Sequence, residues 1–120
     1  MDTLVEVLQS FGRIVVTPNV LTEACDVARQ VAEPARSEAT RKLAVLSLSS
    51  SVDERYIPSA QAAREPLFER LGLSDMTMMA VLDAETCLLT ADLDLYLESL
   101  NAGREAYNFN HVRVHGWQDW

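Results

Sequence analysis

The sequence predicts an α/β fold in which a parallel sheet is flanked by helices, and three observations carry this. Short β-branched or apolar runs alternate with segments of helical periodicity, the pattern of strands joined by crossover helices. Gly12, Gly72 and Gly103 each follow a helical segment, where a residue tolerating positive φ ends a helix. The chain of 120 residues is 48% apolar. That suits one compact core burying roughly two-thirds of the unfolded surface.

Residues 2–11 place Leu4, Val5, Leu8 and Phe11 on one helical face. Arg13-Ile14-Val15-Val16 reads as a buried strand, and Thr17-Pro18 as a helix start with Thr17 capping. That helix carries Val20, Leu21, Ala24, Ala28 and Val31 and is expected to stop near Pro34; a second runs from about Ala35 to Leu46. Ser47, Ser49, Ser50 and Ser51 mark a loop. Arg55-Tyr56-Ile57 reads as a strand closed by Pro58, after which Ser59 caps a helix to Leu71 that kinks or restarts at Pro66. Ser74 caps the next helix, to about Asp83, with Met76, Met79 and Leu82 as its core stripe. Cys87–Thr90 is a strand, Asp92–Leu100 a helix and Ala106–Phe109 the last strand. One domain over 1–113 and a tail over 114–120 are expected.

Ten bases against eighteen acids give a net charge of −8 and a pI near 4.6. A broad basic face for nucleic acid is thereby excluded, since phosphate neutralisation dominates such binding. Cys25 and Cys87 read as reduced core thiols, and residues 1–12 lack the basic start and apolar centre of a signal peptide. A cytoplasmic protein with no membrane span is the expectation.

In parallel α/β folds the site lies beyond the carboxyl ends of the strands. From Leu71 to Gly103 there is no base, yet Asp75, Asp83, Glu85, Asp92, Asp94 and Glu98 occur. Such a run repels itself unless solvent or a cation relieves it. Asp75 follows the Ser74 cap, Asp92 opens a helix two residues past a strand, and Glu23 sits about 9 Å along the helix from Thr17. An aspartate at a helix start also favours the macrodipole, so capping alone accounts for Asp75 or Asp92 taken singly, while Asp83, Glu85 and Glu98 read as a solvated face. The chemistry that uses three such acids together is divalent-metal binding, with Mg²⁺ or Mn²⁺ on hard oxygen ligands activating water for phosphate displacement. No glycine-rich phosphate loop is present. His111 and His115 lie together in an extended tail, which argues against zinc and against a serine–histidine mechanism. A phospho-receiver domain would need a lysine near its last core strand, and the single lysine, Lys42, falls in an early helix.

The order of these motifs resembles that of PIN-domain proteins. Thr17-Pro18-Asn19-Val20-Leu21-Thr22-Glu23 is similar to their strand-to-helix segment with its helical glutamate, Leu73-Ser74-Asp75 to their third acidic position, and Leu88-Leu89-Thr90-Ala91-Asp92 to their T-x-D motif. Ala106–Asn110 is similar to their closing strand, so the resemblance spans about residues 3–113. It implies a Rossmann-like PIN fold and a metal-dependent ribonuclease, the activity of many members, including toxins of toxin–antitoxin pairs. Glu23, Asp75 and Asp92 would then hold Mg²⁺ or Mn²⁺, with Asp94 assisting and Thr90 positioning the metal shell or a phosphate. Single-stranded or structured RNA is the implied substrate, with the nine arginines as a partial phosphate track; a homodimer and an antitoxin are the implied protein partners.

One departure bears on activity. The family pattern begins with an apolar strand ending in Asp, the first metal ligand. Asp2-Thr3 echoes it, but the residues after it read as helix, so the first strand and its ligand are expected to be missing. Two explanations stay open: a start assigned late, or a short form whose sheet another subunit completes. The second carries an alternative function, a catalytically inactive PIN-like module acting in protein interaction or oligomerisation.

Overall fold

The computed structural model describes residues 10, 12–90 and 92–108. The helix expected over 2–11 (Ser10 apart), Phe109 and the tail with His111 and His115 lie outside them. The fold is mixed α/β with short strands in parallel pairs, as the sequence predicts at that level. The described strands form two two-stranded ladders. The chain divides into two compact units, Arg13–Ala80 and the part from Val81 onward.

In the first unit β1 (Ile14–Val16) pairs in parallel with β2 (Val52–Glu54), Ile14 opposite Val52 and Val16 opposite Glu54. Thr17, in extended conformation at φ −114° and ψ 155°, caps α1 (Pro18–Ala28): its Oγ1 accepts the Val20 N–H at 3.3 Å, and Pro18 stands where the missing N–H costs nothing. The helix ends at Ala28, six residues before Pro34. There the Arg29 amide still reaches Cys25, but Gln30 bonds back three residues to Val27 and the turn tightens out of the helix. Val31 is consequently an exposed turn residue and not part of the apolar stripe.

The chain returns along α2 (Ala35–Leu48), which packs on α1 and β2. Glu33 stands just before it and accepts both the amide and the hydroxyl of Ser37, at 2.8 and 2.6 Å, which holds its carboxyl below the usual range. Ser47 is helical, not a loop residue, and its hydroxyl donates back to the Leu43 carbonyl at 2.8 Å; the turn begins only at Ser49.

The second strand is displaced from its expected place. Arg55-Tyr56-Ile57 is not in the ladder; the paired residues are Val52-Asp53-Glu54. Ser51 accepts from the Ile14 amide at 2.9 Å and Arg55 donates to the Val16 carbonyl at 2.8 Å, so backbone pairing ends where the apolar pair begins. Asp53 reinforces this register by accepting from both Arg13 and Arg55.

Next comes α3 (Ser59–Ala63), in which Ser59 is the first helical residue and Pro58 the cap, contrary to the expected Ser59 cap. Pro66 interrupts the path before α4 (Phe68–Val81). That helix is itself broken at Gly72, whose φ of 86° and ψ of 177° only glycine adopts without strain. Ser74 lies in the helical turn that follows this break, and the helix stops at Val81, two residues short of Asp83. Val16, Thr17, Ala62, Met76 and Thr77 are this unit's buried residues.

The second unit is a βαβ crossover. β3 (Cys87–Thr90), placed as expected, pairs in parallel with β4 (Glu105–Asn108), Cys87 opposite Glu105 and Thr90 opposite Asn108. Between them α5 (Leu93–Asn101) packs on both strands. It ends in a Schellman motif at Gly103, φ 77°: Gly103 N–H bonds to Leu100 O at 3.0 Å and Arg104 N–H to Ser99 O at 2.9 Å. Leu88, Leu95 and Ala106 are buried here, each leucine contributing about 1.5–3 kcal/mol by leaving water. Of the expected core stripe, Met76 and Leu82 are buried and Met79 half-buried. Among the described residues no helix is long and apolar enough to cross a membrane.

Candidate functional site

Directly past the carboxyl end of β1, the first turns of α1 and the start of the second half of α4 enclose an open depression of about 330 Å³. It is lined by Pro18, Asn19, Thr22, Glu23, Asp26 and Ser74, two carboxylates and no base. Helical geometry produces the cluster. Asn19 and Glu23 are four apart, Thr22 and Asp26 four apart, and Glu23 and Asp26 three apart, so one face of α1 carries them all. Thr22 donates its hydroxyl proton to the Pro18 carbonyl at 2.9 Å.

Ser74 joins that face through α4. Thr17 and Thr77, both fully buried, stand with their Oγ1 atoms 2.9 Å apart; Thr77 Oγ1 lies 2.7 Å from the Ser74 carbonyl, and the Ser74 hydroxyl reaches toward the Asn19 carbonyl at 3.5 Å. Asp75, half-buried, is the next residue. The first unit thus holds two of the expected ligands, Glu23 and Asp75, on the two helices that these bonds tie together.

Asp92 belongs to the second unit, with Thr90 and Asp94. The T-x-D motif forms a closed local structure: the Asp92 amide donates to Thr90 Oγ1 at 3.0 Å, and Asp92 Oδ1 accepts the Leu95 amide at 3.1 Å, capping α5. Asp94 lies exposed in the first helical turn, where its charge favours the dipole. Capping therefore explains Asp92 locally, while a carboxylate with one oxygen in a cap keeps its second oxygen and full charge for a cation.

The donor set around Glu23 fits a hard divalent cation. Every polar side-chain donor lining the depression is oxygen or amide, with neither thiol nor imidazole, and Mg²⁺ needs only one or two carboxylates beside its waters. Among the described residues no group of three or more His, Cys, Asp or Glu side chains converges on one point. Asp26 escaped the sequence reading; its position three residues after Glu23 on a helix was the available signal.

In the second unit Cys87 and Tyr107 are both shifted toward their protonated forms. Burial, then the charge of Glu105, raises the Cys87 thiol above its usual value, which favours its protonated form. Tyr107 donates to Glu105 Oε1 at 2.6 Å, which together with burial pushes its phenol up to about 12. Cys25 and Cys87 are both free and half-buried.

Compared with protein-family models, with curated proteins and with solved structures, the chain finds no match.

Proposed function

We propose that this chain is a PIN-like endoribonuclease that hydrolyses RNA phosphodiester bonds with Mg²⁺ or Mn²⁺. The observation that carries the reading is the oxygen-lined depression past β1, where Glu23 and Asp26 face Ser74 with no base among the lining residues. Support also comes from Asp92, placed by Thr90 directly past the carboxyl end of β3, the position at which parallel α/β folds bind ligands. On this reading Glu23 and Asp75 are the metal-binding carboxylates of the first unit, and Asp92, with Asp94 assisting, that of the second. When bound, the ion would supply water activation and neutralise charge at the scissile phosphate. The chain's own part is to present carboxylate oxygens on helix starts whose caps fix them, and Thr90 does this for Asp92. The net charge of −8 makes RNA approach dependent on that cation and on the arginines. A cytoplasmic location, with single-stranded or structured RNA as substrate and an antitoxin as protein partner, belongs to the same reading.

The test is cleavage of single-stranded RNA with and without Mn²⁺ by wild type and by Asp75→Asn. Loss of Mn²⁺-dependent cleavage in the variant is expected; equal cleavage by both would sink the reading.

A second reading is favoured by one observation, the lack of a three-acid convergence among the described residues. On it the chain is a non-catalytic PIN-like module acting through a protein partner or a second copy. It expects no stabilisation by metal. A rise in Tm with Mg²⁺ or Mn²⁺ that Asp92→Asn abolishes would count against it.

A further inference from the structure

Helix α5 is apolar on two faces. Leu95 and Ser99 are buried on the side that packs against β3 and β4, and that side is enough to seat the helix. On the other side Leu93, Leu97 and Leu100 are 43–58% exposed. Their spacing of i, i+4 and i+7 makes one stripe about 10 Å long in place of scattered single residues. Helix α2 repeats the arrangement. Its half-buried residues Ala39, Thr40, Leu43 and Leu46 lie on the packed side, while Val45 and Leu48 are 70% and 86% exposed. Arg41 completes the same i, i+4, i+7 row.

The charges beside the two stripes are opposite. α5 carries Asp94 and Glu98 and no base, a net charge of −2. α2 carries Arg36, Arg41 and Lys42 against Glu38, a net charge of +2. Two α5 stripes brought together set acid against acid, and two α2 stripes set base against base. Only unlike stripes match in both apolar content and charge. Laying Val45 on Leu97 and Leu48 on Leu100 brings Arg41 to Leu93 and its neighbour Asp94. From this match we infer that the occupant of the α5 stripe is the α2 stripe of a second copy of this chain. Because the two faces differ, the contact is heterologous, one α2 to one α5. The inference does not rest on the metal-dependent reading, since it uses no bound cation.

Sedimentation equilibrium of the full chain tests it, with EDTA to exclude cation bridging and a reductant to keep Cys25 and Cys87 as thiols. Loading concentrations of about 5–500 µM suit a small, transient interface. The weight-average mass of wild type is expected to rise above 13.4 kDa across that range. Arg41→Glu and Asp94→Lys are each expected to weaken association about tenfold, since each sets like charges together. Mixed in equal amounts they should recover wild-type association, because the reversed charge on each variant then meets its opposite on the other. Leu97→Gln, at an exposed position, should weaken association without lowering Tm. A wild type that stays at 13.4 kDa overturns the inference, as does a mixture no better than either variant alone. Association lost in Leu97→Gln but unchanged in both charge reversals gives α5 a different occupant and overturns it too.

Discussion

Asp92 donates its amide to Thr90 Oγ1 across 3.0 Å and turns its own Oδ1 onto the Leu95 amide at 3.1 Å. One aspartate thus both closes the turn after β3 and caps α5, and a single residue separates it from the threonine that holds it. The question this raises is whether its charge or only its oxygen matters.

Two substitutions separate these. Asparagine caps about as well as aspartate, so Asp92→Asn should change stability by no more than a few tenths of a kcal/mol, whereas Asp92→Ala should cost about 1 kcal/mol. If the carboxylate serves a cation, Asp92→Asn should still abolish metal-dependent stabilisation. Urea denaturation with and without Mn²⁺ reads both effects. A Mn²⁺ response kept in the asparagine variant would leave Asp92 as a cap alone.

The β1–β2 ladder should respond to acid through Asp53. Hydrogen bonds from Arg55 and then Arg13 hold its carboxyl below the usual range. A depressed folded pKa means stability that is present above the unfolded value, about 3.9, and lost as pH falls through the folded one. The stability gap between wild type and Asp53→Asn should therefore be constant from pH 7 to 5 and shrink below about pH 4. A gap that stays flat to pH 2.5 would show that Asp53 contributes shape and not charge.

Tyr107 gives the alkaline counterpart. Its phenol, hydrogen-bonded to Glu105 and raised to about 12, stabilises the fold fully below the unfolded value near 10 and loses that contribution as pH rises toward 12. NMR of ring-labelled tyrosine should show Tyr107 titrating at about 12, and Glu105→Gln should bring it down. No change on removing the Glu105 charge would assign the shift to burial.

Gly72 is the test of backbone strain. A Cβ there meets nothing within 4 Å, so the cost of Gly72→Ala is conformational. At φ 86° and ψ 177° it should be about 1–3 kcal/mol, seen as a lower urea midpoint at unchanged m-value. A neutral substitution would mean that the helix closes across this point.

The elements most legible in the sequence are those with a chemical signal at their start. Thr17-Pro18 and Thr90-Ala91-Asp92 announce helices because capping oxygen and fixed φ are properties of the residues themselves. Gly103 announces an end for the same reason. Apolar content points to Tyr56 and Ile57 for the second strand, while the paired residues are Val52–Glu54, where Asp53 meets Arg13 forty positions away. Tyr56 is instead 74% exposed. The acids were legible as a series along the chain, but their grouping was not: Asp26 joins Glu23 by helix geometry, and Ser74 joins both through two threonines sixty residues apart.

The two parallel ladders differ in how far apart in the chain their partners lie. Cys87 pairs with Glu105, 18 positions on, whereas Ile14 pairs with Val52, 38 positions on. Loop-closure entropy then favours the shorter ladder by about 0.7 kcal/mol before any side chain packs. The Asp92 cap needs nothing beyond its own turn and the helix it opens, while Glu23 reaches its setting only after β1, α1 and α4 have met. The half that holds Asp92 therefore closes over less chain, and the half that holds Glu23 and Asp75 carries the larger closure entropy.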